Sequence, residues 1–180
     1  MPHDGQDPTA VSPLMADLGA RVAALQPSLD ALQGKAIELV RGLVTQDGRV
    51  SPSLIDRHQR AAHGLAWLAT YVEALRQMGA WAERLGEAGT FGEMEGLILQ
   101  IGAGEYLAQI LGGIPMTQGE ILRPSDIGLS AADLAPLADH PLLAGNSPAA
   151  RARLVTLMRD NHGRATFGAT GLDDELEMIR

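Results

Sequence analysis

The 180-residue sequence contains no cysteine. A disulfide framework, a thiolate metal site and a cysteine nucleophile are therefore excluded at the outset. β-Formers are scarce as well: Val, Ile and Thr number 24 together and the aromatic residues six. That is too few to furnish the strands of a sandwich or barrel. Lysine occurs once, at Lys35, and the thirteen arginines are scattered among 22 acidic residues for a net charge of −8. Such a balance lacks the basic footprint of a nucleic-acid binder. No apolar run approaches the roughly 20 residues of a membrane span. The N-terminal Met1–Pro8 stretch has neither the basic nor the apolar region of a secretory signal, and the chain reads as cytoplasmic.

What is abundant is helix-forming apolar material. Alanine (27) and leucine (26) make up most of the 82 apolar residues, and both rank at the top of the helix scale. The expected fold class is all-α, a helical bundle. Residues 1–11, with two prolines and little apolar matter, read as a disordered leader. Ser12 and Pro13 offer an N-cap and a first-turn proline, followed at helical spacing by Leu14, Leu18, Val22 and Leu25. Pro27 either kinks or divides this helix, and Gln46-Asp47-Gly48 ends it. Ser51-Pro52 opens a long helix to about Gly86 with a core stripe of Leu54, His58, Ala61, Leu65, Leu68, Val72, Leu75, Ala82 and Leu85. Trp67 and Trp81 fall on the opposite side, about 200° from Leu65 for Trp67 at about 100° per residue, and mark an interface face awaiting a partner. Thr90 to Glu93 fits a capping box; Met94, Leu97, Ile98, Ile101, Ala108 and Leu111 follow as its stripe. The reading is thus an antiparallel helical core over 12–115. Residues 116–171 form a loop-rich segment with two short helices, capped by Ser130 and Ser147, and a hinge at Gly168–Gly171. An acidic amphipathic helix begins at 172–180, where its abrupt stop suggests an excised piece.

Chemistry-bearing residues are few. Glu105 is the one carboxylate on an apolar stripe; burial would raise its pKa and suit it to act as a base, while a structural bond to His58 or Arg76 is the plainer alternative. His58 and His63 are separated by about 140° and do not make a metal pair. Gly102, Gly104, Gly112 and Gly113 lie inside or at the C-terminal end of a helix, where the dipole disfavours phosphate; close packing and a C-cap account for them.

The stretch from Arg57 to Met78 (Arg-His-Gln-Arg-Ala-Ala-His-Gly-Leu-Ala-Trp-Leu and onward), with Phe91-Gly-Glu-Met-Glu95 and Gln109-Ile-Leu-Gly-Gly-Ile-Pro-Met-Thr-Gln-Gly-Glu-Ile121, resembles the N-terminal extension of the methylsuccinyl-CoA dehydrogenase-like branch of the flavin-dependent acyl-CoA dehydrogenases. The likeness runs over residues 50–180, and Leu172-Asp-Asp-Glu-Leu-Glu-Met-Ile-Arg180 is similar to the first helix of the dehydrogenase domain. Gln109 to Gly113 also resembles a Gln-x-x-Gly-Gly element in the family's C-terminal helical domain, making the bundle a partial copy of that domain. The resemblance implies flavin contact through Gln109, Gly112 and Gly113, although Ile114-Pro115 replaces the family's aromatic-rich continuation and no glutamate stands where the catalytic base would. It further implies a longer parent enzyme that oxidises a short branched acyl-CoA with FAD and passes electrons to electron-transferring flavoprotein. Within that parent this segment would be a non-catalytic accessory or oligomerisation domain against the dehydrogenase body or a homo-oligomer partner. The alternative is a ligand-binding or catalytic module with Glu105 as base and Trp67, Trp81 and Tyr106 lining a pocket.

Overall fold

A computed structural model describes residues 13–161 together with Glu175 and Met178. The expected leader (1–11) and hinge (168–171), and all of the 172–180 helix except Glu175 and Met178, lie outside the described residues. Six α-helices and two small hairpins make up the described part, and the all-α bundle expectation holds. The helices are α1 Leu18–Val44, α2 Pro52–Arg57, α3 Gln59–Glu87, α4 Glu93–Gly112, α5 Ala131–Ala138 and α6 Pro148–Asp160. The hairpins pair β1 Thr45–Gln46 with β2 Arg49–Val50, and β3 Ile114–Thr117 with β4 Glu120–Leu122.

Helix α1 buries Leu18, Val22, Leu25, Leu29, Leu32, Ala36, Val40 and Val44, steps of three and four that keep one stripe inward over 27 residues. It runs unbroken through Pro27, so the expected division does not occur. Pro27 and Ala23 are both exposed, so the carbonyl that loses its amide partner faces water. The helix begins at Leu18 rather than at Pro13, after Asp17 in the left-handed region at φ 54°. The reason is tertiary. Gln100 accepts the Met15 N–H at 2.7 Å and donates to the Pro13 carbonyl at 3.1 Å, so these backbone groups are spent on a side chain of α4 instead of a helical ladder.

At its far end α1 turns through Asp47 (φ 52°) and Gly48 (φ 74°), the two left-handed positions a tight hairpin turn demands. The long helix expected from Pro52 is broken at His58, which takes φ −111°, ψ 30° between α2 and α3. The α3 core face is Ala61, Gly64, Leu68, Tyr71, Val72, Leu75 and Leu85. Leu54, His58, Leu65 and Ala82, expected on the stripe, are only half-buried, and Tyr71 was not expected there. Contacts in which one index rises as the other falls give the packing direction. A Cβ on Gly79 would meet Val22 and Arg76 pairs with Asp30, so α3 runs antiparallel to α1. Tyr71 bonds Gln109 and Gly102 abuts Met78, two pairs that both sum to 180, so α4 runs antiparallel to α3.

Helix α4 starts two residues after the expected Thr90, with only the glutamate half of a capping box, since a glycine N-cap has no side chain to supply the other. Gly92 is the N-cap, and its N–H donates to Glu95 at 3.0 Å; Thr90 instead closes the end of α3 through the Leu85 carbonyl. The deepest α4 face is Leu97, Leu99, Ala103, Leu107 and Ile110. Ile98, Ile101 and Leu111 are half-buried and Ala108 is exposed, so the expected stripe is rotated from the observed one. The cause is that α4 has neighbours on both sides: α3 and α1 on one, the Pro141–Ala144 turn and α6 on the other. A helix covered twice buries a broad arc, and a single-stripe reading misplaces its centre. The boundary drawn at residue 115 falls inside β3, whose Ile114 and Met116 enter the core with Leu122 of β4. The Ser130 and Ser147 caps form as expected, each hydroxyl accepting from the residue three along.

Arg60 of α3 anchors this second hairpin. Its guanidinium donates to Asp126 at 2.8 Å, to the Ile121 carbonyl at 2.8 Å and to Glu120 at 3.1 Å. The Arg60 hydrogen bond, and after it the Arg123 backbone N–H, hold the Asp126 carboxyl below its ordinary range. A carboxyl lowered on folding stabilises the fold above its unfolded pKa of about 3.9 and loses that contribution as pH falls through the lower folded value. The difference in melting temperature between the wild-type chain and Asp126→Asn should thus be full above about pH 5 and shrink as pH drops through the carboxylate range. Thermal melts across pH check this; a difference that grows on acidification would contradict it.

Candidate functional site

Two polar side chains that the sequence singles out, Glu105 and Gln109, meet partners from other elements on the flank of α4 facing α3 and α6. Tyr71 donates its phenol to Gln109 Oε1 at 2.6 Å. Gln109 Nε2 in turn donates to Glu105 Oε1 at 2.7 Å, and Asn146 Nδ2 donates to Glu105 Oε2 at 2.5 Å. Arg151 holds the far end, its Nε on Asn146 Oδ1 and its Nη2 at 3.8 Å from Glu105. Burial, then Tyr106 and Glu105, raise the Tyr71 pKa, which keeps the phenol protonated as the donor. Tyr106 lies against Tyr71 at a centroid distance of 4.7 Å, tilted by 45°, within the range of favourable aromatic pairs.

This placement corrects the expectations for Glu105. The residue is not on the buried face: its side chain is 44 % exposed, since it sits about 200° from Ala103 on the helix. Neither His58 nor Arg76 is its partner. Both carboxylate oxygens receive amide N–H groups, which bind protons far too tightly to hand them over. The arrangement ties α3, α4 and the start of α6 together. Among the described residues no group of three or more His, Asp or Glu is placed to hold a metal ion.

Gln109, Gly112 and Gly113 do come together, at the C-terminal end of α4. A flavin pyrophosphate calls for N–H donors or cations aimed at it. Here the Gln109 amide is engaged on both sides, and the Gly113 N–H is spent on the Gln109 carbonyl at 2.7 Å. Arg123 Nη1 donates to the Gly112 carbonyl, a cation on the negative end of the helix dipole. A side chain at Gly113 (φ 137°) would strike Arg123 and Ile121, so the glycine admits this cap. Within this chain these residues do not fit the flavin role.

The tryptophans are likewise inward-leaning. Both are half-buried and pack against the core, Trp67 donating its indole N–H to His63 Nε2 at 2.9 Å and Trp81 meeting Phe91 edge-on at 6.5 Å. The face read from helical spacing is thus half-covered within the chain, because α3 has neighbours on more than one side.

Tyr71, Asn146, Arg151 and Arg123 were not singled out in the sequence. For Tyr71 a signal exists: with the α3–α4 turn centred on Thr90, residues equally spaced from it face each other, and Tyr71 and Gln109 are such a pair. Asn146 and Arg151 join through the irregular 141–147 segment, which no periodicity describes.

No protein-family model matches the chain. The chain is 58 % identical over 168 residues to (2S)-methylsuccinyl-CoA dehydrogenase of Cereibacter sphaeroides, an alignment covering 93 % of this chain and 31 % of that relative. The resemblance seen in the sequence is thereby borne out: over nearly its whole length the chain is similar to a segment of an acyl-CoA dehydrogenase-family protein, and it spans 31 % of that protein's length.

Proposed function

We propose that the chain serves as a non-catalytic helical accessory domain of an FAD-dependent acyl-CoA dehydrogenase, docking on the dehydrogenase body or on an oligomer partner. One observation carries the reading: the match takes in 93 % of this chain but 31 % of the relative; in keeping with it, the Glu105 carboxylate is held by the Gln109 and Asn146 amides. On this reading the FAD, the short branched acyl-CoA and the docking site for electron-transferring flavoprotein belong to the remaining portion of a cytoplasmic enzyme. The chain's own residues supply a braced scaffold.

Flavin titration and acyl-CoA oxidation with an artificial acceptor test it directly on this chain. The expected outcome is no flavin retention and no turnover, for the wild type and for Glu105→Gln alike. Flavin-dependent turnover by the chain alone, lost in Glu105→Gln, would overturn the reading in favour of a catalytic module.

A further inference from the structure

His63 and Trp67 stand one turn apart on α3, both half-buried. The Trp67 indole N–H donates to His63 Nε2 at 2.9 Å. The ring planes are inclined by 59°, so the indole meets the imidazole through its N–H and not face to face. A neutral imidazole that accepts at Nε2 carries its own proton on Nδ1. A second proton can enter only at Nε2, the atom that the Trp67 N–H already occupies. Protonation of His63 and the Trp67 bond are therefore mutually exclusive, and histidine is the side chain that takes up a proton between about pH 8 and pH 5.

His63 also borders an open depression of about 620 Å³ that it shares with Ile55, Gln59, Arg60, Ala62 and Glu120. The charged groups that face it there are Arg60, from its own helix, and Glu120, from β4; α2 contributes the apolar Ile55. Arg60 serves two carboxylates, Asp126 at 2.8 Å and Glu120 at 3.1 Å. With His63 neutral this group thus holds one positive and two negative charges, and a proton on His63 balances it. The two carboxylates are not equally free. Asp126 is held by Arg60 and by the Arg123 backbone N–H at 2.7 Å. The Glu120 carboxylate has, among the described residues, the longer Arg60 bond alone, and its side chain is 45 % exposed, which leaves it room for a second cation.

We propose that His63 is a proton-operated switch: on taking a proton from solvent through the depression, its imidazolium leaves the Trp67 indole and pairs with Glu120, and the Trp67 N–H is released as a free donor on α3. This does not depend on the accessory-domain reading.

An NMR titration of the isotope-labelled full chain from about pH 8 to pH 5 tests it, the two indole signals being told apart with Trp67→Phe. The Trp67 indole signal should move in a single-proton transition that shares its midpoint with the His63 ring protons, and the Trp81 signal should not follow. His63→Gln, which retains an acceptor one turn from Trp67 but cannot take the proton, should abolish the transition. Glu120→Gln should keep it and move its midpoint to lower pH by roughly half a unit, the size of an exposed ion pair. A Trp67 signal that stays in place down to the acid end would overturn the switch, as would a transition that survives in His63→Gln. A midpoint unchanged in Glu120→Gln would overturn Glu120 as the partner of the imidazolium.

Discussion

Gly104→Ala should lower the stability of the chain by about 2 kcal/mol, although alanine is the better helix former. A Cβ at Gly104 would lie 2.6 Å from the Leu142 carbonyl oxygen and 3.1 Å from the Asn146 backbone nitrogen. Both obstacles are main chain, so no rotamer change relieves them; α4 and the 141–146 segment must part. For a chain of this size each kcal/mol moves the melting temperature by roughly 2–4 °C. The control is the same substitution at Gly34 in α1, where an added Cβ meets nothing within 4 Å. There the propensity term acts alone, and Gly34→Ala should gain about 0.5–1 kcal/mol. Thermal melts of the two variants thus have opposite signs by expectation. A stabilised Gly104→Ala would mean that α4 does not rest against the 141–146 segment.

The same contrast shows what a sequence can reveal here. Helix α1 is legible because it contacts the core along one stripe, and Leu18, Val22, Leu25, Leu29, Leu32, Ala36 and Val40 all sit where three-and-four spacing puts them. Local signals are legible too: Ser130 and Ser147 cap their helices. Helix α4 is not, since burial on two sides leaves little periodicity to read and rotates Glu105 out of its expected place. The β3–β4 hairpin was missed for another reason. Its second strand is held from outside by Arg60, on Glu120 and the Ile121 carbonyl, long-range bonds that local propensity does not encode. Within the candidate site, the Gln109–Glu105 bond is a helical i, i+4 pair and could be read; Tyr71, Asn146 and Arg151 reach it from other elements. The family likeness was carried by residue identities across α3 and α4, which do not require the fold to be solved.

The tightest such long-range contact is Gln100, 1 % exposed, which bonds the Met15 N–H, the Pro13 carbonyl and, at 2.9 Å, the Gly145 carbonyl. One amide joins the entry to α1, the middle of α4 and the turn before α6. Gln100→Glu keeps the size and the acceptor for Met15 but replaces the donor that served two carbonyl oxygens by a second negative oxygen. Burying an unpaired charge against two carbonyl dipoles should cost about 3 kcal/mol or more at neutral pH. The variant should recover on acidification, because a protonated carboxyl regains one O–H donor. Its pKa in the folded chain is raised above the unfolded value of about 4.3, so the recovered stability is fully present below that value and is lost as pH rises through the folded pKa. Gln100→Leu, which leaves the same three backbone groups without a partner but adds no charge, should lose about 2–3 kcal/mol at every pH. Hydrogen exchange adds a local readout: the Met15 amide should lose protection in Gln100→Leu and keep part of it in Gln100→Glu at acidic pH. A Gln100→Glu chain as stable as wild type at neutral pH would show that the Pro13–Met15 segment is not held by α4. Equal destabilisation of both variants across pH would show that packing volume, rather than the amide's donor pair, is what joins the three segments.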